Sequence, residues 1–233
     1  LLVGTFIIFH YTYKHLTYLK NLKIEYFTIS LLGLIGIMIM ISAYSLLMLY
    51  LGIELLSLAL YALIGFNKDS GLSSEAAIKY YVLGAMSSGI LLFGVSLIYG
   101  FTGSINYFEI ANQLSTLNAN SVQYLGVIFG LIFITASLCF KFGAAPFHIW
   151  VPDIYQGSLI STTILLSTLP KMAVFIVFIK LYFIPFYALS FIWSDILIFV
   201  GILSIVIGSI FALTQDNIKR LLAYSAISNI GFI

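Results

Sequence analysis

The chain has 233 residues, of which 62% are hydrophobic and only 8% charged, with a formal net charge of +2 at pH 7. An average soluble domain carries about 25% charged residues, so a water-soluble globule is excluded and an integral membrane protein is expected: all-α, polytopic, one transmembrane domain over residues 1–233. The few charges are spread over separate short segments and make no basic patch, which argues against nucleic acid as a partner. Cys139 is the single cysteine, so neither a disulfide framework nor a CxxC redox or metal pair is available.

A membrane-crossing helix needs about 20 mostly apolar residues, because the hydrocarbon layer is about 30 Å thick and a helix rises about 1.5 Å per residue. Leu1–Phe9 is too short and reads as the tail of a span; without an initial methionine, the N-terminus is expected to lie upstream. Tyr26–Phe66 is twice the needed length, and Tyr44–Ser45 marks a tight turn between two helices. Glu75–Gly100 is the next span, with Ser73 or Ser74 as its cap and Glu75 suited to the positive end of the helix dipole. Phe101–Ser121, with Gly103, Asn106, Asn112, Gln113, Asn118 and Asn120, reads as a polar loop.

Val122–Trp150 is too long for one straight helix, and Gly143 and Pro146 should break it, since proline removes a backbone donor and clashes with the preceding turn. Ser158–Tyr182 and Phe191–Leu213 are complete spans, and Leu221–Ile233 is an unfinished one. The total is about seven helices plus fragments. Alternating these spans puts Lys14, Lys20, Lys23, Lys68, Lys219 and Arg220 on one membrane face and only Lys180 on the other. By the positive-inside rule the lysine-rich face is the cytoplasm or a mitochondrial matrix. Gly126/Gly130, Ser204/Gly208/Ala212 and Gly84/Ser88 have the spacing of close helix contacts.

Three ionisable residues fall inside the apolar stretches: Glu54, Lys141 and Lys171. A charge at the centre of a span costs about 2.5–3.5 kcal/mol on insertion scales and is retained where it is paired, hydrated or used. Burial of lysines and carboxylates in general favours proton exchange nearer neutrality. Two charges about 10 Å apart at an effective dielectric of about 20 interact by roughly 1.7 kcal/mol, enough for one to bias the other's proton. The expected arrangement is a Glu54–Lys141 pair continued by Lys171 into a hydrated lateral relay. Pro170 also frees the Leu166 carbonyl for a water or for Lys171. His148, whose type titrates near neutrality, is a candidate shuttle or a partner for the broken backbone. Asp153 reads as a helix cap or loop pair, Lys180 as an end-of-span anchor, and Asp216, Lys219 and Arg220 as a solvated helix start. Tyr80, Tyr81, Ser87 and Ser88 either line water or pack. No second His, Cys or carboxylate stands at ligand spacing, so metal binding is not expected.

Three passages carry a resemblance: LGIELLSLALYALIGF at Leu51–Phe66, KFGAAPFHIWVPDIYQGS at Lys141–Ser158 and DNIKRLLAYSAISNIGF at Asp216–Phe232. They resemble the antiporter-like, proton-translocating membrane subunits of NADH:ubiquinone oxidoreductase (respiratory complex I), subunit 2 in particular, related to Mrp-type antiporters. The resemblance implies a broken helix at Gly143–Pro146 and places the family's essential glutamate at Glu54 and its lysines at Lys141 and Lys171. Leu159-Ile160-Ser161 and Asn229 depart from the family pattern. The resemblance further implies a non-redox role, with NADH, FMN, iron–sulfur clusters and ubiquinone held by other subunits and none by this chain. The implied partners are other membrane-arm subunits of complex I and the lipid bilayer. Additional C-terminal helices would come either from more of the same chain or from a separate polypeptide. The implied location is the mitochondrial inner membrane, with a bacterial plasma membrane or a plastid thylakoid as alternatives. A stand-alone Mrp-type cation/proton antiporter component is the competing function.

Overall fold

A computed structural model describes residues 1–18, 23–117 and 121–233; Lys20, Asn118 and Asn120 lie outside the described residues. Among the described residues every regular element is a helix. In chain order these are α1 (Leu2–Tyr18), α2 (Ile24–Ser42), α3 (Leu46–Ile64), α4 (Gly71–Thr102) and α5 (Tyr107–Thr116). They continue with α6 (Val122–Phe142), α7 (Trp150–Gly157), α8 (Ile160–Phe183), a short 3-10 turn (Tyr187–Leu189), α9 (Ser190–Leu213) and α10 (Ile218–Ile230). Six are long and apolar enough to cross a membrane: α2, α3, α4, α6, α8 and the segment Tyr187–Leu213. The chain is a multi-pass membrane protein.

The turn expected at Tyr44–Ser45 separates α2 from α3, and the Ser45 hydroxyl accepts from Leu47 N. Two glycines let these helices meet at backbone distance. A Cβ at Gly36 would lie 2.6 Å from Leu56 N, and one at Gly52 would lie 2.6 Å from Met40 N. The small-residue spacings also locate contacts: Gly130 faces the Gly94 carbonyl of α4, and Gly208 faces the backbone of Ser228 on α10.

Several boundaries differ from the sequence reading. The first helix runs to Tyr18 rather than stopping near Phe9, because Thr5, Ile8, Thr12 and Leu16 form a buried stripe, packed against α8. Helix α4 starts at Gly71, and its cap is Ser70, which accepts from Ser73 N. The Ser73 hydroxyl donates instead to the Ile64 carbonyl at 2.6 Å, tying the end of α3 to the start of α4. Glu75 pairs with Lys79 one turn on.

The polar segment after α4 is not all loop. Tyr107, Ile110 and Leu114 recur on one face and are buried, and Asn106 caps the helix by accepting from Phe108 N. This amphipathic α5 is anchored at the α2–α3 turn, where Leu46 N donates to the Ile105 carbonyl and Tyr107 N to the Tyr44 carbonyl. The last helix begins at Ile218, capped by Asn217.

The two ends of the bundle have different chemistry. At one end His15, Asn67, Ser70, Ser158 and Lys219 border a common recess of about 310 Å³. At the other, Lys180 donates to the Ile41 carbonyl at 3.0 Å and lies 3.6 Å from the centre of the Tyr44 ring. That is the end-of-span anchoring expected of Lys180, with the ammonium set against the negative end of α2.

Candidate functional site: a buried lysine at a broken helix

The break after α6 shapes the site. Gly143 has φ +82, a left-handed conformation that glycine adopts without a Cβ penalty, and its N–H closes the helix on the Cys139 and Phe140 carbonyls. Three groups then satisfy backbone that the break leaves without helical partners. Ala144 N donates to the Cys139 carbonyl, Trp150 Nε1 donates to the Phe140 carbonyl at 2.9 Å, and Ala145 N donates to Ser204 Oγ of α9 at 2.9 Å. Trp150 is fixed in turn between Tyr80 and Phe140, with ring centres 4.9 and 5.5 Å away.

Ending α6 at Phe142 puts Lys141 in its last turn, where the partial negative charge of the helix terminus favours a cation. Restarting the helix at Trp150 puts Asp153 in a first turn, where the dipole favours an anion. One interruption thus creates a place for each sign of charge, which an unbroken apolar span would not offer.

Lys141 is 8% exposed, and its Nζ donates to Ser57 Oγ on α3 at 2.7 Å. Ser57 is one helical turn beyond Glu54. Glu54 is within Coulombic reach of Lys141, but the two make no direct ion pair. Among the described residues the ion pairs are Lys79–Glu75, Lys79–Asp153 and Arg220–Asp153. The Glu54 Oε1 atom is buried with no hydrogen-bond partner. The expected Glu54–Lys141 pair therefore does not close directly: the ammonium rests on the Ser57 hydroxyl, one helical turn beyond Glu54 on α3. The sequence reading missed Ser57. Its signal was a hydroxyl three residues after Glu54 in an otherwise apolar helix.

Lys171 is one residue past Pro170 on α8. Its Nζ is buried without a hydrogen-bond partner and lies 5.8 Å from the centre of the Tyr155 ring on α7. It takes up neither the Leu166 carbonyl nor Lys141. Pro170 and Val174 nonetheless border the same small cavity as Lys141 and Ser57, so α8 packs directly behind the α3–α6 contact. Tyr155 and Tyr61 each bury an unpartnered hydroxyl, and the Tyr61 and Tyr80 rings meet edge to face at 5.1 Å. Tyr81 is exposed, whereas Ser87 exchanges hydrogen bonds with Ser137 across α4 and α6. His148 stands in the break, half-buried, with its ring centre 6.5 Å from that of Tyr224 on α10. Its Nδ1 has no partner, and it is not hydrogen-bonded to Glu54, Lys141 or Lys171.

Asp153 holds elements together. It accepts from Lys79 of α4 at 2.9 Å and from Arg220 of α10 at 3.0 Å. Arg220 also donates to Gln156 Oε1 and Gln215 Oε1, and Lys219 Nζ reaches the Ser158 carbonyl at 2.8 Å. The solvated helix start expected at 216–220 is therefore corrected. Lys219 and Arg220 cross to α7, because its C-terminal carbonyls and Asp153 offer acceptors that water alone would otherwise supply.

With this geometry in view, comparison with known proteins is specific. Residues 43–233 match the NADH:quinone oxidoreductase/Mrp antiporter transmembrane family. NADH-quinone oxidoreductase subunit N of Ruthia magnifica subsp. Calyptogena magnifica is 50% identical over 209 residues, covering 90% of this chain and 43% of that protein. The subunit N of Thioalkalivibrio sulfidiphilus is 45% identical over 229 residues, covering 98% and 47%. The chain thus spans about half the length of these curated relatives. Among solved structures, a chain of respiratory complex I from Thermus thermophilus with bound aureothin superposes with a TM-score of 0.76 at 33% identity, covering 90% of this chain and 44% of that one. A chain of the Mrp complex from Dietzia sp. DQ12-45-1b, at 23% identity, shares the fold with a TM-score of 0.77, covering 87% and 37%. The chain belongs to the NADH:quinone oxidoreductase/Mrp antiporter transmembrane family.

Proposed function

We propose that this chain is part of a proton-translocating, non-redox subunit in the membrane arm of a respiratory NADH–quinone oxidoreductase. Glu54, Lys141 and Lys171 would serve as members of its relay, with His148 a shuttle at the break. The observation that carries this reading is a pair of lysine ammonium nitrogens inside an apolar bundle with, among the described residues, no carboxylate bonded to either. Such groups are costly and are retained where they work. A structural lock would close Glu54 directly onto Lys141. A hydroxyl at 2.7 Å with the carboxylate left free is instead an arrangement in which the ammonium can change partners.

Electron transfer from NADH to quinone, and the flavin and iron–sulfur groups it needs, would reside in other subunits of the complex. The partners are the other membrane-arm subunits and lipid. The curated relatives named above are bacterial, which supports a bacterial plasma membrane over the mitochondrial inner membrane. A role in a stand-alone Mrp-type antiporter is the second reading, favoured by the shared fold alone. Co-purification with redox subunits in mild detergent separates the two.

The test is proton flux per electron in membranes carrying the full subunit. Lys141→Ala, Glu54→Gln and Lys171→Ala should each remove this subunit's share of the flux while leaving the complex assembled. Normal stoichiometry in Lys141→Ala would refute the relay.

A further inference from the structure

Ser57 has two hydrogen-bonding jobs that fit together in only one way. Its Oγ donates to the Ile53 carbonyl of its own helix at 2.7 Å and accepts from Lys141 Nζ at 2.7 Å. The hydroxyl proton is directed at Ile53, so a lone pair is left facing the lysine. Both residues are buried, with Ser57 2% and Lys141 8% exposed. The cavity they share with Tyr80 and Pro170 has a volume of about 10 Å³, room for about one water. Among the described residues Ser57 Oγ is the one protein atom hydrogen-bonded to this ammonium.

We infer that Ser57 is a positioning residue for the relay, a resting acceptor that holds Lys141 one helical turn away from the Glu54 carboxylate. The inference rests on the relay reading above. Its physical content is the reversibility of a hydroxyl, which is both donor and acceptor. While Lys141 carries its proton, Ser57 accepts from it and donates to Ile53. When the lysine gives up a proton, its nitrogen gains a lone pair, and the Ser57 hydroxyl can turn from Ile53 to donate to it. Ile53 remains satisfied by its ordinary helical partner. A carboxylate in this place would trap the ammonium form, and a methyl group would serve neither form. Glu54, with a buried oxygen unpartnered on the same side of α3, is the alternative acceptor to which the ammonium moves when it leaves Ser57.

The test uses the full subunit in its native membrane complex. This subunit's share of proton flux is defined as the difference between wild type and Lys141→Ala at equal rates of electron transfer. Ser57→Ala should retain about a tenth of that share or less, the loss expected for a charge-assisted hydrogen bond to a buried group. Ser57→Thr, which keeps the hydroxyl, should restore most of it. Adding Ser57→Ala to Lys141→Ala should cause no further loss, because the two act through one contact. If the alanine variant fails to assemble, Ser57→Cys takes its place with the same expected loss, its thiol being a poor acceptor. A Ser57→Ala share within about twofold of wild type overturns the inference and leaves the relay standing, as does a threonine variant no better than alanine. Normal flux in Lys141→Ala removes the relay itself.

Discussion

The break between α6 and α7 depends on one hydrogen bond from outside either helix, and removing it gives a sharp prediction. Ala145 and Ser204 are both fully buried, and Ser204 Oγ is the acceptor for Ala145 N at 2.9 Å while donating to the Val200 carbonyl at 2.8 Å. Ser204→Ala removes one oxygen, adds no bulk and leaves the Ala145 N–H with no acceptor. An unsatisfied buried donor costs about 1–3 kcal/mol, or roughly a 5- to 150-fold rise in local opening. The Val200 carbonyl is unaffected because its own helix bond remains. Hydrogen–deuterium exchange of the segment 143–149 should accelerate by that factor in the variant, while the central turns of α3 exchange as before. Unchanged exchange at 143–149 would refute the claim that α9 holds the break in shape through this bond. Acceleration spread equally over all helices would refute its local character.

Two further predictions concern packing and charge. Gly36→Ala would place a Cβ 2.6 Å from Leu56 N and 2.9 Å from the Gly52 carbonyl, both backbone atoms that cannot swing aside. The α2–α3 contact must open, at a cost of about 1–3 kcal/mol; a lower unfolding temperature in detergent and reduced proton flux should follow together, because Glu54 and Ser57 ride on α3. Lys219 lies at the start of α10 with its Nζ against the Ser158 carbonyl, and burial pushes its pKa below the ordinary lysine value of 10.5. The unfolded chain then binds more protons than the folded one between the lowered value and 10.5, so this residue's contribution to stability rises with pH across that interval. Thermal unfolding measured as a function of alkaline pH should show that rise in wild type and lose it in Lys219→Met; equal slopes in both would count against the assignment.

Much of the architecture was legible because hydrocarbon thickness and helix rise impose a length that apolar runs either meet or do not. The spans, the turn at Tyr44–Ser45 and the break at Gly143 follow from that arithmetic and from what glycine and proline do to a backbone. Helix α5 was hidden because half of its residues are polar and it is far too short to span a bilayer. The recurrence of Tyr107, Ile110 and Leu114 was its only signature, and that pattern becomes decisive only when there is a surface to bury it against. The cap of α4 was misplaced for a related reason. Ser70, Ser73 and Ser74 are equivalent in sequence, and the neighbouring Ile64 carbonyl decides which hydroxyl is free to cap.

The candidate site divides the same way. Sequence alone determined that Glu54, Lys141 and Lys171 are costly charges in apolar helices, since residue type and span length suffice for that. Only the tertiary structure decided what each one meets: Lys141 a serine on α3, Lys171 a tyrosine ring on α7, and Asp153 a lysine and an arginine from two other helices. Hydrogen-bond partners are set over distances of a few ångströms between residues far apart along the chain, 84 positions for Lys141 and Ser57 and 139 for Lys180 and Ile41. No local pattern encodes such a meeting, because it is the packing of whole helices that brings the two ends of the bond together.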